Sequence, residues 1–207
     1  MKTETKRGRP RKFDEDETLD RIMLLFWKNG YSATSLDQIA ETTGLNRPSL
    51  YAAFGSKKAM YLKIIERFAD RMHTYLRQAG METEGAAPRL KAIMAAAIEL
   101  YTGQTELNGA PYGCLAISTL QSEAVEDADF RQALDRVITR MDKGIASLIR
   151  HETRDSLTEN EVREAAQHLA LILHGLSIRA RAGENPEALK ILAESAVDKI
   201  LPGTSHG

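Results

Sequence analysis

The chain has 207 residues and a net charge of −1, with 43% hydrophobic and 28% charged residues, a composition typical of a globular protein. No apolar run approaches the roughly 20 residues that span a bilayer, and the basic N-terminus lacks a signal peptide's apolar stretch, so we expect a cytoplasmic protein. The single cysteine, Cys114, excludes an internal disulfide framework and a cysteine-rich zinc site. Only six prolines and few alternating apolar runs predict an all-α fold.

Positive charge is concentrated at the start of the chain. Residues 1–80 carry 15 Lys and Arg against 10 Asp and Glu, whereas residues 81–207 carry 13 against 19. Residues 1–12 form a basic arm in which Arg7-Gly8-Arg9-Pro10 is typical of an AT-hook, which places arginines in the minor groove of A·T-rich DNA. We therefore predict DNA contacts for Arg7 and Arg9, although a solvated tail is the alternative.

Two short helices are predicted in the stretch SLDQIAETTGLNRPSLYAAFGSK, residues 35–57. A first helix, from about 14 to 29, precedes them. Ser35 can cap the second helix, Gly44 suits a sharp turn, and the third helix begins near Asn46 with Leu50 and Phe54 turned inward. This spacing is typical of a helix-turn-helix, although a plain helical hairpin in a core would show it too.

The outward face of the third helix favours DNA over the plain hairpin. With Leu50 buried, the residues that point away are basic, hydroxylated or small, and the face is nearly free of acids. We expect this face to consist of Arg47, Pro48, Ser49, Tyr51 and Ala52.

The segment TGLNRPSLYAAFGSKKAMY resembles the end of the DNA-binding domain in the TetR-like (tetracycline-repressor) family of bacterial regulators, and the upstream FWKNGYSATSLDQIA resembles the family's first helix and its exit. The resemblance covers roughly residues 14–64. It implies an all-α protein with a three-helix DNA-binding head and an all-helical ligand-binding and dimerisation body. Together with the pattern of the remaining chain, we predict about nine helices in four parts: the basic arm (1–12), a helix-turn-helix domain (13–56), an effector-binding and dimerisation domain (57–202) and a tail (203–207). It also implies a homodimer on double-stranded operator DNA, usually a repressor released by a small molecule.

The resemblance further implies particular DNA contacts. Tyr51 and Lys57 match family positions that contact phosphate, and we assign Arg47 to a base edge or a phosphate. Ser49 and Ala52 are predicted in the major groove, where Ala52 offers only a thymine-methyl contact. Ser35 and Asn46 are weaker candidates.

The remaining helices are predicted at about 57–78, 88–102, 114–125, 128–152, 158–182 and 185–201, with a turn at 80–88 and a loop at 103–113. The last two helices carry wide apolar faces. Because the resemblance implies that they pair with their copies in a second subunit, we predict an interface of Ala166, Leu169, Leu173, Leu192, Ala196 and Ile200. A plain body core is the alternative.

An effector pocket is expected among the helices that begin near residues 57, 88, 128 and 158. Candidate lining residues are Met94, Tyr101, Tyr112, Cys114, Phe130, Ile138 and His174, any of which could instead be core. Cys114 could be a reactive sensor at a helix start, with a lowered pKa, or a buried structural residue.

No catalytic constellation is found, and no cofactor or metal is expected. The five histidines are scattered, and no HExxH, phosphate-binding glycine loop or nucleophile elbow occurs. An enzyme and a helical interaction module without DNA binding remain as alternatives, but the interaction module leaves the basic arm and the face of the third helix unexplained.

Overall fold

The computed structural model describes residues 13–107, 109–153 and 156–201, and its elements there are ten α-helices. They are α1 (Glu15–Asn29), α2 (Leu36–Thr43), α3 (Arg47–Phe54), α4 (Lys57–Met81), α5 (Ala86–Tyr101), α6 (Leu115–Thr119), α7 (Glu123–Glu126), α8 (Ala128–Thr153), α9 (Glu159–Arg181) and α10 (Pro186–Ile200). The sequence predicts nine because residues 114–125 were assigned to one helix, whereas the chain leaves α6 after Thr119 and begins α7 at Glu123. We call α1–α3 the head and α4–α10 the body.

The starts of the helices are fixed by side chains that the sequence identifies. The Ser35 hydroxyl accepts the Gln38 N–H at 3.1 Å, and the Gln38 side chain accepts the Ser35 N–H at 2.7 Å, which forms a capping box. Thr158 and Glu161 form a second capping box at the start of α9. Asn185 accepts the N–H of Glu187 at 2.9 Å at the start of α10.

Helix α4 is longer than predicted, because it continues through Gly80 to Met81. Gly80 lies where α5 comes close: a Cβ at this position would stand 3.0 Å from Ile93 Cδ1 and 3.1 Å from Arg89 Cγ. The glycine therefore allows close packing of α4 against α5 and does not end the helix.

The head and the body share one hydrophobic core. Trp27 of α1 is fully buried, its ring meets Phe68 of α4 edge-on with centroids 4.8 Å apart, and its Nε1–H donates to the Gly113 carbonyl at 3.0 Å. Gly113 has φ 68°, and a Cβ there would stand 2.6 Å from the Ser177 carbonyl oxygen. Residue 113 must therefore be glycine for the chain before α6 to fit between α1 and α9.

Polar contacts also join the head to the body. Arg181, at the end of α9, donates to the carbonyls of Trp27 at 3.2 Å, Lys28 at 3.3 Å and Tyr112 at 2.9 Å. The Ser32 hydroxyl, between α1 and α2, donates to Glu123 of α7 at 2.7 Å. These contacts fix how α1 is placed against the body.

In the body, α9 packs between α8 and α10, and α5 packs against α4, α9 and α10. None of the helices in the described ranges is both long and apolar enough to cross a membrane.

Candidate nucleic-acid interface and effector cavity

A glycine turn sets the angle between α2 and α3. Gly44 has φ 69° and ψ 13°, the left-handed conformation that glycine adopts without steric cost. Across the turn, Ile39 of α2 and Leu50 of α3 are fully buried, and Phe54 is 6% exposed. With these side chains in the core of the head, the opposite side of α3 is left at the surface.

That surface of α3 carries the side chains expected from the sequence. Arg47, Pro48, Tyr51 and Ala52 are exposed, and Ser49 is half-buried. The Asn46 side chain caps the helix by accepting the Ser49 N–H at 2.9 Å. No acidic residue lies in the first turn of α3, so its unpaired N–H groups can attract an anion such as phosphate.

Arg47 is not free, because α2 places an acid beside it. Its Nε donates to Asp37 Oδ1 at 2.9 Å, and its Nη2 lies 2.6 Å from both carboxylate oxygens. The hydrogen bond to Asp37 raises the pKa of the Arg47 guanidinium. The outward face of α3 itself carries no acid, as the sequence predicts, but Asp37 of the neighbouring α2 pairs with its arginine. Asp37 lies in the first turn of α2, where an acid stabilises the helix dipole.

The remaining DNA candidates lie around this face. Lys57, the first residue of α4, is half-buried with its Nζ 4.3 Å from the centroid of the Tyr31 ring, and burial lowers its pKa. Ser35 is exposed at the start of α2. Arg7 and Arg9 lie outside the described residues, so their contacts stay predictions.

Comparison with known proteins identifies the family. The family described as "Bacterial regulatory proteins, tetR family" matches residues 19–64, which span most of α1 through the first part of α4. The HTH-type transcriptional repressor ComR of Escherichia coli (strain K12) is 30% identical over 190 residues, covering 90% of this chain and 89% of ComR. The chain belongs to the TetR family.

Two further comparisons agree with this family. The HTH-type transcriptional repressor BdcR of the same strain is 26% identical over 194 residues, covering 93% of this chain and 92% of BdcR. A cysteine-substituted form of the TetR family transcriptional regulator CifR, solved with 26-base-pair double-stranded operator DNA, matches with a TM-score of 0.81 and 27% identity, covering 91% of this chain and 98% of CifR. This TetR-family chain is a DNA-binding transcriptional regulator and not an enzyme.

A cavity of about 690 Å³ lies in the body among α4, α5 and α8, with Leu173 of α9 on its wall. These are the four helices among which the sequence predicts a pocket. None of the seven predicted lining residues lines this cavity, so their role in effector binding stays a prediction. Four of the seven are buried in the core: Met94, Tyr101, Cys114 and Phe130. The other three are half-buried: Tyr112, Ile138 and His174. An apolar stripe marks a buried face without showing whether a void or a neighbouring helix covers it.

Two of these seven candidates carry buried polar atoms. Tyr101 Oη and His174 Nε2 have no hydrogen-bond partner among the residues that the structure describes. Burial raises the pKa of Tyr101 and lowers the pKa of His174, which Asp142 partly offsets. Both rings therefore favour their neutral forms.

Cys114 is a core residue. It is fully buried before α6, its backbone N–H donates to Ser177 Oγ at 2.7 Å, and burial raises the pKa of its thiol to about 11. Of the two interpretations drawn from the sequence, the buried structural residue is therefore confirmed, and the accessible thiol with a lowered pKa is wrong. The N–H groups of Ala116 and Ile117 do favour the thiolate, as the helix start suggested, but loss of hydration outweighs them.

The predicted dimer residues fall into two groups. Ala166, Leu169 and Leu173 are at most 1% exposed within one protomer, so they cannot contact a second copy and that part of the prediction is wrong. Leu192 is exposed, and Ala196 and Ile200 are half-buried. Besides Leu192, α9 and α10 expose three large apolar residues that the sequence did not identify: Leu171, Ile178 and Ile191.

Proposed function

We propose that the protein is a homodimeric repressor that binds operator DNA through α2 and α3 and is released when a small molecule occupies the cavity beside α4. The observation that carries the DNA part is the division of α3 into a buried side, with Leu50, and an exposed side, with Arg47 and Tyr51. Two relatives, ComR and BdcR, are named as transcriptional repressors, which supports repression as the direction of regulation.

We assign a role to each residue on the DNA-facing side. Arg47 reads a base edge or a phosphate at the start of α3, after Asp37 releases it or while Asp37 orients it. Tyr51 and Lys57 bind phosphate, and Ser49 and Ala52 face the major groove. Pro48, Ser35 and Asn46 lie beside these contacts. The basic arm, residues 1–12, adds Arg7 and Arg9 in the neighbouring minor groove, and residues 13–56 act as the DNA-binding domain.

A gel shift with DNA from upstream of the protein's own gene tests this proposal. The full chain should retard that DNA in the presence of excess non-specific competitor, and it should not retard a scrambled sequence of the same length. Binding to both DNAs alike, or to neither, would contradict operator recognition on this fragment.

The homodimer is proposed to form through the exposed apolar face of α9 and α10. Leu171 is 64% exposed, Ile178 54%, Ile191 66% and Leu192 45%, so the isolated protomer leaves four large aliphatic side chains in water on these two helices. Scattered apolar side chains are common on protein surfaces, but several on one helix pair are typical of a contact with another chain. Leu192, Ala196 and Ile200 extend this face on α10.

We expect Leu171→Asp to weaken the dimer, because it would bury a charge against a second apolar surface. Sedimentation velocity should show a dimer for the native chain and a larger monomer fraction for this variant. Val125→Asp is the matched control, since Val125 is 73% exposed but lies on α7, and it should stay dimeric. Equal dimer fractions in all three proteins would place the interface elsewhere.

A further inference from the structure

The cavity is a groove that runs beside α4 and α8, and these two helices run in the same direction. Arg136 of α8 pairs with Glu66 of α4 at 3.6 Å, and one turn further along both helices Arg140 pairs with Asp70 at 2.6 Å. Beyond these pairs the walls are mainly apolar. The apolar wall residues are Ala69, Met72, Leu76, Met81, Leu90, Ile93, Val137, Met141, Ile145, Leu148 and Leu173.

The ionisable residues of the lining are all basic. The lining contains three arginines and two histidines, and no aspartate or glutamate: Arg77, Arg89, Arg140, His73 and His151. Two of the arginines are neutralised from outside the lining, Arg89 by Glu152 at 2.6 Å and Arg140 by Asp70 at 2.6 Å.

Arg77 differs from the other two arginines. Its side chain is exposed at the groove, and it forms no ion pair with any residue in the described ranges. A guanidinium is always charged in proteins and binds a carboxylate through two parallel hydrogen bonds. The groove therefore combines an apolar wall with one uncompensated cation.

We propose that the effector is an amphipathic monocarboxylate, with its apolar part against the walls of the groove and its carboxylate on Arg77. This inference rests on the proposed effector function of the same cavity. A volume of about 690 Å³ lies within the range of about 300–1,000 Å³ that small-molecule sites occupy. A cationic amphiphile of the same length meets repulsion from Arg77, and a neutral one leaves the guanidinium unpaired.

Gly144 offers a way to close the groove without disturbing the core. It lies within α8 on the lining, and a Cβ built there has no atom within 4 Å apart from its chain neighbours and the backbone of its own helix. A leucine at this position extends into the groove and is also a better helix former than glycine. Alanine adds only one carbon and leaves the groove open.

The test is titration calorimetry of the full chain, without DNA, using decanoate, decan-1-ol and decylamine below their micelle concentrations. Decanoate should bind at one site per chain, at least tenfold tighter than decan-1-ol, with decylamine weakest.

Arg77→Gln should reduce the preference for decanoate over decan-1-ol to about threefold or less. Arg163→Gln, an exposed arginine of α9 outside the lining, should keep it. Gly144→Leu should lose decanoate binding, and Gly144→Ala should retain it.

Equal affinity for decanoate and decan-1-ol, absence of decanoate binding, or an unchanged preference in Arg77→Gln would overturn the proposal. A gel shift with the same ligands tests the proposed ligand class separately from the proposed release of the operator. Decanoate that binds through Arg77 but leaves the operator complex intact supports the ligand class and contradicts release. Release of the operator by decan-1-ol as effectively as by decanoate contradicts the ligand class and supports release.

Discussion

The α2–α3 pair of the head and the α9–α10 pair of the body use their surfaces differently. Each helix of the first pair has eight residues, and the core-facing residues Ile39, Leu50 and Phe54 leave a polar side in water. Helix α9 has 23 residues and carries apolar side chains on two sides, with Leu169 fully buried and Leu171 64% exposed.

The difference shows what each pair can bind. A short helix with one apolar side fills the core with that side and offers hydrogen-bond donors on the other, which suits phosphate and base edges. A long helix with two apolar sides fills the core and still exposes aliphatic surface, which suits another protein surface. We thus propose that DNA and a second subunit are recognised at opposite ends of the chain.

The largest expected effect comes from removing a side chain that joins the head to the body. We expect Trp27→Ala to lower the free energy of unfolding by about 3–5 kcal/mol, because a fully buried indole leaves a cavity and an unpaired Gly113 carbonyl. Urea denaturation followed by circular dichroism measures it. Trp27→Phe should lose less, and a loss below about 1 kcal/mol in the alanine variant would contradict the buried position.

The helix caps of the head and the body should contribute equally to the free energy of unfolding, although their surroundings differ. Ser35→Ala in the head and Thr158→Ala in the body should each cost about 1 kcal/mol of stability, because each removes one side of a capping box. Ser147→Ala, on an exposed position within α8, serves as the control and should cost nothing. Chemical denaturation of the three variants compares them, and an unequal loss would mean that one cap has another partner.

The smallest expected changes in stability come from replacing one glycine of the body and one of the head by alanine, and the two changes should have opposite signs. Gly144→Ala should stabilise the protein by about 0.5–1 kcal/mol, because the residue is helical and has open space at its Cβ position. Gly44→Ala should destabilise it, since Gly44 has φ 69°. Thermal melts of both variants give the signs, and a stabilised Gly44→Ala would contradict the left-handed turn.

The sequence predicts the head well because its signals are local. Ser35, Gly44 and Asn46 act on residues within three positions along the chain, so the helix ends and the buried side of α3 follow from spacing alone. The pair of Arg47 with Asp37 joins residues ten positions apart across the turn, and it depends on the angle between the helices. No periodicity encodes that angle.

The sequence predicts the body less well because several of its helices are apolar on more than one side. The stripe of α9 that contains Ala166, Leu169 and Leu173 was assigned to a second subunit, whereas it packs inside the protomer. The same ambiguity placed Tyr101 and Cys114 in the cavity. Only the arrangement of α4, α5 and α8 shows which residues face the groove.

The most direct test of the account is the affinity of Arg47→Ala for an operator defined by footprinting, measured by fluorescence anisotropy. We predict that the Kd rises about 5- to 150-fold and that discrimination against substituted operators narrows, because Arg47 stands at the exposed start of α3. Arg163→Ala removes an equally charged residue from the surface of α9 and should leave the Kd unchanged. If Arg47→Ala binds the operator with native affinity and native sequence preference, α3 does not read DNA through its exposed face.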